Sequence, residues 1–246
     1  MPLGAKLAEG KTKIVYAHRD DPDLAVLLHK DGITAGDGAR RNTIPGKGAL
    51  AGRTAANVLS LLQRNRVATH FVGAPAPDAM LVRRCAMIPL EVVMRRLATG
   101  SYLKRHPEAS EGMRFDPPLV EFFLKDDVRH DPQVTPDEID RLGVASPADV
   151  AHMADEGRRV FEIVERAWAG LDVTLVDLKI EFGRDASGAL LVADVIDNDS
   201  WRIWPGGDKS RMLDKQVYRN MAEVTDERLA DLRRRYEQVA DLTDTW

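Results

Sequence analysis

Two apolar, strand-forming runs, residues 171–182 and 189–195, flank a 183–188 segment bounded by Gly183 and Gly188, and no other feature constrains the fold as strongly. Runs this close in sequence, joined by turn-forming residues, fold back on one another as antiparallel strands. Alternation along Asp177-Leu178-Lys179-Ile180-Glu181-Phe182 sets Asp177, Lys179 and Glu181 on one face and the three apolar side chains on the other. Asp194, on the returning strand, comes within reach of Glu181 across the pair. Because the opposite face is apolar, the charged face has two readings. It is a surface salt-bridge ladder, or it lines a site where two carboxylates beside a lysine hold Mg2+ against phosphates.

The remaining pattern mixes both kinds of element. Strand signals occur at 14–16 and 24–28 around the turn Asp20-Asp21-Pro22-Asp23, and again at 69–72, 80–84 and 90–95. Helical spacing runs over 48–66 through Leu50, Val58, Leu61 and Leu62. A second helix is expected after the N-cap Ser146 to about 170, with Val150, Met153, Val160, Ile163, Val164 and Trp168 on its apolar face. A third runs over 225–239. Between them, 100–136 is rich in proline, glycine and charge, and 125–132 reads as an exposed loop. No internal repeat is present, so the expectation is an α+β chain, long enough at 246 residues to bury about three quarters of its unfolded surface.

With 35 Lys and Arg against 39 Asp and Glu, the chain lacks the basic excess that displaces counterions from a phosphate backbone, which argues against a nucleic-acid partner. No apolar run approaches a membrane span and the charged N-terminus has no apolar signal core, so a cytoplasmic protein with no membrane partner is expected. The single cysteine, Cys85, cannot form an internal disulfide and has no zinc-spaced companions; a small core residue is the favoured reading over a nucleophile.

Two further groups suit anions. Gly10-Lys11-Thr12-Lys13 feeds a strand that would carry both ammonium groups on one face, either as a solvated basic strand or against a polyphosphate. The segment from Ser200 through Arg202 to Lys209, with Arg95-Arg96 and Thr99-Gly100-Ser101, supplies the arginines, hydroxyls and glycines that grip a phosphate monoester. Trp201 and Trp204 are read as packing residues before stacking platforms.

These motifs, in this order, resemble the phosphoribosylaminoimidazole-succinocarboxamide synthase, or SAICAR synthetase, family. The resemblance runs from Glu9-Gly10-Lys11-Thr12-Lys13 through Thr34-Ala35-Gly36-Asp37-Gly38-Ala39, Ile88-Pro89-Leu90-Glu91-Val92-Val93, Thr99-Gly100-Ser101 and His130-Asp131-Pro132 to Asp214-Lys215-Gln216. The run Ala193 to Arg202 is similar to the form fused to a carboxylase in animals, and Asp194-Val195-Ile196 stands where the family has Asp-Glu-Phe.

The resemblance implies a two-lobed α+β fold related to ATP-grasp and kinase folds, with ATP in the interlobe cleft. It divides the chain into a β-rich nucleotide-binding lobe, 1–90, and a larger lobe, 91–246, with the metal and substrate sites. It also implies a homo-oligomer. The implied reaction joins L-aspartate to a phosphorylated aminoimidazole carboxylate, with ATP and Mg2+ as cofactors. Lys11 and Lys13 would touch the ATP phosphates beside Gly10, and the backbone from Glu91 to Val93 would recognise adenine. Lys179 would lie at the nucleotide, and Glu181 and Asp194 would hold the metal. Arg95, Ser101 and Arg202 would bind the ribotide phosphate. Asp37 and Gly38 would sit where the ribotide meets aspartate, with Asp37 the candidate base and Lys13 and Lys179 the other catalytic groups. The 125–131 loop would lie near the aspartate pocket. A small-molecule kinase of related fold and a nucleotide-binding module without turnover are the rivals.

Overall fold

A computed structural model describes residues 2–36 and 38–246, of Asp127 only the backbone. The chain opens with β1 (Leu3–Glu9), β2 (Lys13–His18), β3 (Leu24–His29), β4 (Gly32–Ala35) and β5 (Arg40–Thr43). Helix α1 (Lys47–Arg64) and strands β6 (Phe71–Ala76) and β7 (Ala79–Arg83) follow. Then come β8 (Ala86–Leu97), α2 (Ser101–Arg105), β9 (Arg114–Leu124), β10 (Gln133–Val134), α3 (Pro136–Arg141) and α4 (Pro147–Ala169). The chain closes with β11 (Val173–Arg184), β12 (Leu190–Ala193), β13 (Trp201–Pro205), α5 (Gln216–Asn220) and α6 (Asp226–Thr243).

The arrangement is mixed α/β, with antiparallel sheets as the sequence implies. One sheet has the order β1-β2-β3-β7-β6; the other has the order β10-β9-β8-β11-β12, with β13 also on β11. Helix α1 lies against β3, β6 and β7, while α4 lies against β8, β9 and β11. The α4 start is the one expected: Ser146 and Asp149 form a reciprocal capping box ahead of a proline at the first helical position. One apolar core runs through both sheets, from Leu27 and Val82 through Val92 and Ile180 to Trp168. A smaller one, with Ile33, Ile44, Tyr218 and Tyr236, underlies the β4–β5 hairpin.

Several elements were hidden from the sequence. The β9 strand lies within the segment read as loop, because Pro117 and Pro118 argue against a central strand. Both fall where the β8–β9 ladder is interrupted, between the pairs Leu97↔Arg114 and Arg95↔Leu119, so no ladder hydrogen bond is lost to them. The boundary expected at residue 90 falls inside β8, and the chain passes from one sheet to the other at Arg84 and Cys85. Cys85 is half-buried and lines a cavity, so it is not the core residue expected. Burial pushes its thiol up to about 11, which keeps it protonated and inert. Trp201 does pack, edge-on against Trp168 and Trp246. Among the described residues no helix is long and apolar enough to cross a membrane.

Two buried histidines lie where the sheets meet, and they make stability depend on pH. Burial, reinforced by Lys13 and Lys47, pushes His29 down to about 4. Burial does the same to His70, against the pull of Asp194. In the unfolded chain a histidine titrates near 6.5, so between those values the unfolded state binds more protons and stability drops as the pH is lowered. The loss between pH 7 and 5 should be about 2 kcal/mol for each such histidine. Urea melts of wild type and His29→Asn check this: the variant should lose less over that interval, and equal losses would refute the assignment to His29.

Candidate active site

The β11–β12 pair comes out in the expected register, with Glu181 opposite Ala193 and the apolar Leu178, Ile180 and Phe182 buried beneath. Asp194 lies one residue beyond β12 and turns into the left-handed region, φ 59°. For an L-residue that costs about 1–2 kcal/mol, and aspartate is among the residues that tolerate it. Its carboxylate meets the ammonium of Lys13, at the start of β2 in the other sheet. Glu181 accepts from Lys179 at 2.7 Å and from Lys125 at 2.6 Å, and Glu91 stands 3.4 Å from Lys179. The charged face is therefore the lining of a cleft between the sheets, and the surface-ladder reading is discarded.

Burial alone would discharge these groups; their mutual placement prevents it. Burial acts against the Lys179 ammonium, but Glu181, Glu91 and Asp194 outweigh it and hold the pKa above the ordinary lysine value. Burial likewise opposes ionisation of Asp194, and Lys13, Lys179 and Lys125 override it and hold the carboxyl below its usual range. Deeper in, burial and then Asp199 raise Asp197. Asp199 itself stays ionised, accepting from Tyr236 and Lys215 at 2.8 Å each.

The cleft has three connected chambers. The central one, about 450 Å3, carries six cationic side chains (Lys11, Lys13, Lys125, Lys179, Lys215, Arg219) against six carboxylates among the described residues. Its cations are thus already balanced, so a polyphosphate brought in with a cation leaves the chamber closer to neutral than one brought in alone. The second, about 540 Å3, has apolar walls from Val15, Ala25, Leu27, Val82 and Met87, and shares Lys13, Lys125, Glu181 and Asp194 with the first. The third, about 820 Å3, is cationic: Arg40, Lys104, Arg202 and Arg219 face it, with Ser101. It shares Ala35, Gly36 and Arg219 with the centre. At Gly100, whose φ of 57° favours glycine, a Cβ would come within 2.5 Å of the Arg202 guanidinium and push that arginine from its present place.

Most of the expected residues converge here. Gly10 lines the apolar chamber; Lys11, Lys13, Gly38, Glu91, Lys179, Glu181 and Asp194 line the centre; Ser101 and Arg202 line the cationic one. Lys11 precedes β2 rather than sharing a strand face with Lys13, yet both reach the same chamber. Asp37, the candidate base, lies outside the described residues.

Two expectations need correction. Glu91 to Val93 cannot offer backbone to adenine. They sit mid-strand in β8, paired with β11 through Glu91↔Glu181 and Val93↔Lys179 and with β9 through Glu91↔Phe123 and Val93↔Glu121, so the ladders use their N–H and C=O groups on both sides. The chain segment that does face the apolar chamber is Arg83, Arg84, Cys85 and Met87. Arg95 does not reach the cationic chamber either. It is buried behind it, donating to Glu121 at 2.5 Å and Asp177 at 2.9 Å, with Ser101 Oγ at 3.5 Å. Asp177 also stands 3.0 Å from Arg202 Nη1, without hydrogen-bond geometry.

Other residues of the cleft escaped notice. Arg219 is on α5, at five residues too short for a periodic signal. Asp214 anchors that helix, accepting from Gln216 N at 2.8 Å and Ile203 N at 3.0 Å, and burial pushes its carboxyl up to about 6. His70 lines the apolar chamber from a connection that resembles any buried turn. The run Asp197-Asn198-Asp199 was the one available signal, three polar residues in an apolar context.

Comparison with known proteins shows what the chain is similar to. The family model described as SAICAR synthetase matches residues 6–235. A phosphoribosylaminoimidazole-succinocarboxamide synthase of Roseiflexus sp. (strain RS-1) is 72% identical over all of this chain and 99% of its own. A crystal structure of the synthase of that name from Ehrlichia chaffeensis superposes with TM-score 0.88 at 29% identity, covering 98% of both chains. A type-2 SAICAR synthetase in complex with ADP superposes with TM-score 0.83 at 32% identity, covering 94% of this chain and 97% of the other.

Proposed function

The chain belongs to the SAICAR synthetase family and is an ATP-dependent ligase of purine biosynthesis, and from that premise we propose how its three chambers divide the reaction. Adenine lies in the apolar chamber against residues 83–87, the triphosphate and the reacting carboxylate meet in the charged centre, and the 5′-phosphate of 5-amino-1-(5-phosphoribosyl)imidazole-4-carboxylate lies in the cationic chamber. The observation that carries this reading is their continuity. Four residues belong to both the apolar and the charged chamber, and three to both the charged and the cationic one, so a nucleotide and a phosphorylated acceptor would meet at Lys13, Glu181 and Asp194. The sheet of β1–β3, β6 and β7 then serves as the nucleotide lobe of a two-lobed fold related to ATP-grasp and kinase folds.

The residues present suit Mg2+. Among the described residues no three carboxylate, histidine or cysteine groups form a ready-made cage, but Mg2+ bound with nucleotide takes only one or two carboxylates and the phosphates supply the rest. Glu181 and Asp194 offer hard oxygens on the same chamber, whose cations are already neutralised. Glu181 and Asp194 would hold the ion, and the chemistry it would supply there is neutralisation of phosphate charge.

The chain's own share is positioning and charge. Lys11, Lys13 and Lys179 receive the phosphates and offset the charge on the transferred phosphoryl group. Arg202 and Ser101 hold the acceptor by its phosphate, and Arg95 fixes the wall behind them. The acceptor carboxylate takes the phosphoryl group, which turns one of its oxygens into a leaving group. ADP is left behind in that transfer; the aspartate amine then attacks the acyl-phosphate carbon, gives up its proton to a base, the role proposed for Asp37, and phosphate departs. Lys125, Lys215 and Arg219, on the same chamber, are placed to bind the two carboxylates of aspartate.

The test follows phosphate release from ATP and Mg2+ with the imidazole ribotide carboxylate, with and without L-aspartate. Release tied to succinocarboxamide formation and dependent on aspartate is expected. Phosphorylated acceptor accumulating as the sole product, aspartate or not, would give the site to a kinase.

A further inference from the structure

The β11–β12 ladder ends at the pair Glu181↔Ala193, so the carbonyl of Asp194 lies beyond it. That carbonyl has a partner from a distant part of the chain: Nε2 of His70 lies 2.9 Å away. A carbonyl oxygen only accepts, so the imidazole donates, which requires the proton on Nε2. The residue is only 4% exposed, and its backbone is fixed from two sides: His70 N donates to Val192 O at 2.9 Å, and Arg83 N donates to His70 O at 2.6 Å. His70 thus ties the end of β7 to the end of β12, one from each sheet, and spends its one N–H at the residue whose backbone turns left-handed, φ 59°.

We infer that His70 is a positioning residue, whose hydrogen bond holds the Asp194 peptide in the conformation that brings the carboxylate onto Lys13 and the phosphate chamber. The inference rests on the proposed role of Asp194 at the phosphates. Without the donor, nothing pins that carbonyl, and the left-handed turn relaxes toward an extended backbone. The carboxylate then leaves Lys13, Lys179 and Lys125, which hold it ionised. Groups that orient a catalytic carboxylate through one hydrogen bond affect metal affinity or activity by about 10- to 100-fold, and a site needs its members within about 0.5 Å of the productive position.

The experiment compares His70→Met with His70→Gln, two unbranched side chains of similar length, of which only glutamine carries an N–H donor. Three readouts are taken: kcat, KM for each substrate, and calorimetric affinity for ADP with and without Mg2+. His70→Met should lower kcat, and the ratio of Mg2+-bound to metal-free ADP affinity, by about 10- to 100-fold, with KM for aspartate unchanged. His70→Gln should recover most of both losses. A His70→Met protein with wild-type kcat and a wild-type ratio of those affinities, or a His70→Gln protein as impaired as it, overturns the inference. Nitrogen-15 NMR of the wild type gives a second reading that does not depend on variants folding: the His70 proton should be on Nε2, and a proton on Nδ1 overturns the assignment. Failure of the functional reading would look different. Wild type would then make no succinocarboxamide, while the nucleotide affinities and the tautomer would still report on His70.

Discussion

Asp194→Asn protein should fold normally and lose ligase turnover by about a thousandfold, the scale of removing one preorganised charge from a phosphoryl- or acyl-transfer site. The substitution keeps shape and removes charge at the point where Lys13, Lys179 and Lys125 converge. Because asparagine leaves those ammonium groups without one of their counter-charges, metal-free nucleotide should bind at least as tightly as to wild type. Binding that requires Mg2+ should weaken. The two effects have opposite signs, which separates loss of a working carboxylate from general damage to the cleft. Steady-state kinetics with calorimetry of ADP, with and without Mg2+, measures both. Turnover within about tenfold of wild type would sink the assignment of Asp194 to the reacting centre.

Arg95→Met should be the most destabilising single change in the second sheet. Arg95, Glu121 and Asp177 have side chains that are 4%, 3% and 9% exposed, and the guanidinium is bonded to both carboxylates. Arg105 also reaches Glu121, but from the half-exposed side. Deleting the arginine strands Asp177 with Arg202 alone, in imperfect geometry. Removing one partner of a buried ion pair costs about 3–5 kcal/mol, which for a chain of this size lowers Tm by about 6–20 °C. The triple variant Arg95→Met, Glu121→Gln, Asp177→Asn should recover much of that loss, because the cost lies in the unpaired charges. Urea and thermal melts of both variants check this. A single variant that melts within about 2 °C of wild type would show that Arg95 is not the hub of that network. Catalysis in the single variant should fall as well, since Ser101 and Arg202 stand against the same cluster.

The parts of the site that could be read from the chain are those set by local periodicity. Alternation along residues 177–182 placed Lys179 and Glu181 together because a strand's side chains can only alternate, and a short turn could only return Asp194 to the same end. Ser146 announced α4, because an N-cap is satisfied within its own first turn. The family motifs added which chemistry those groups serve. What escaped was whatever depended on a partner far away in sequence. The Glu91–Val93 backbone appeared free until β9 was found on its second side, and β9 was masked by two prolines whose cost vanishes at an interrupted ladder. Arg95 appeared to be a phosphate ligand until Glu121, 26 residues on, and Asp177, 82 residues on, were seen to enclose it. His70 gave no signal at all, since a single buried histidine acquires meaning only from the carbonyl 124 residues away that it meets. By itself the sequence determined the β11–β12 pair, the start of α4, the family and a set of charged residues that mostly line one cleft. Which of those groups face the cleft, and which are consumed in holding it together, was decided by tertiary structure alone, because burial and pairing across sheets are properties of contacts that no local pattern contains.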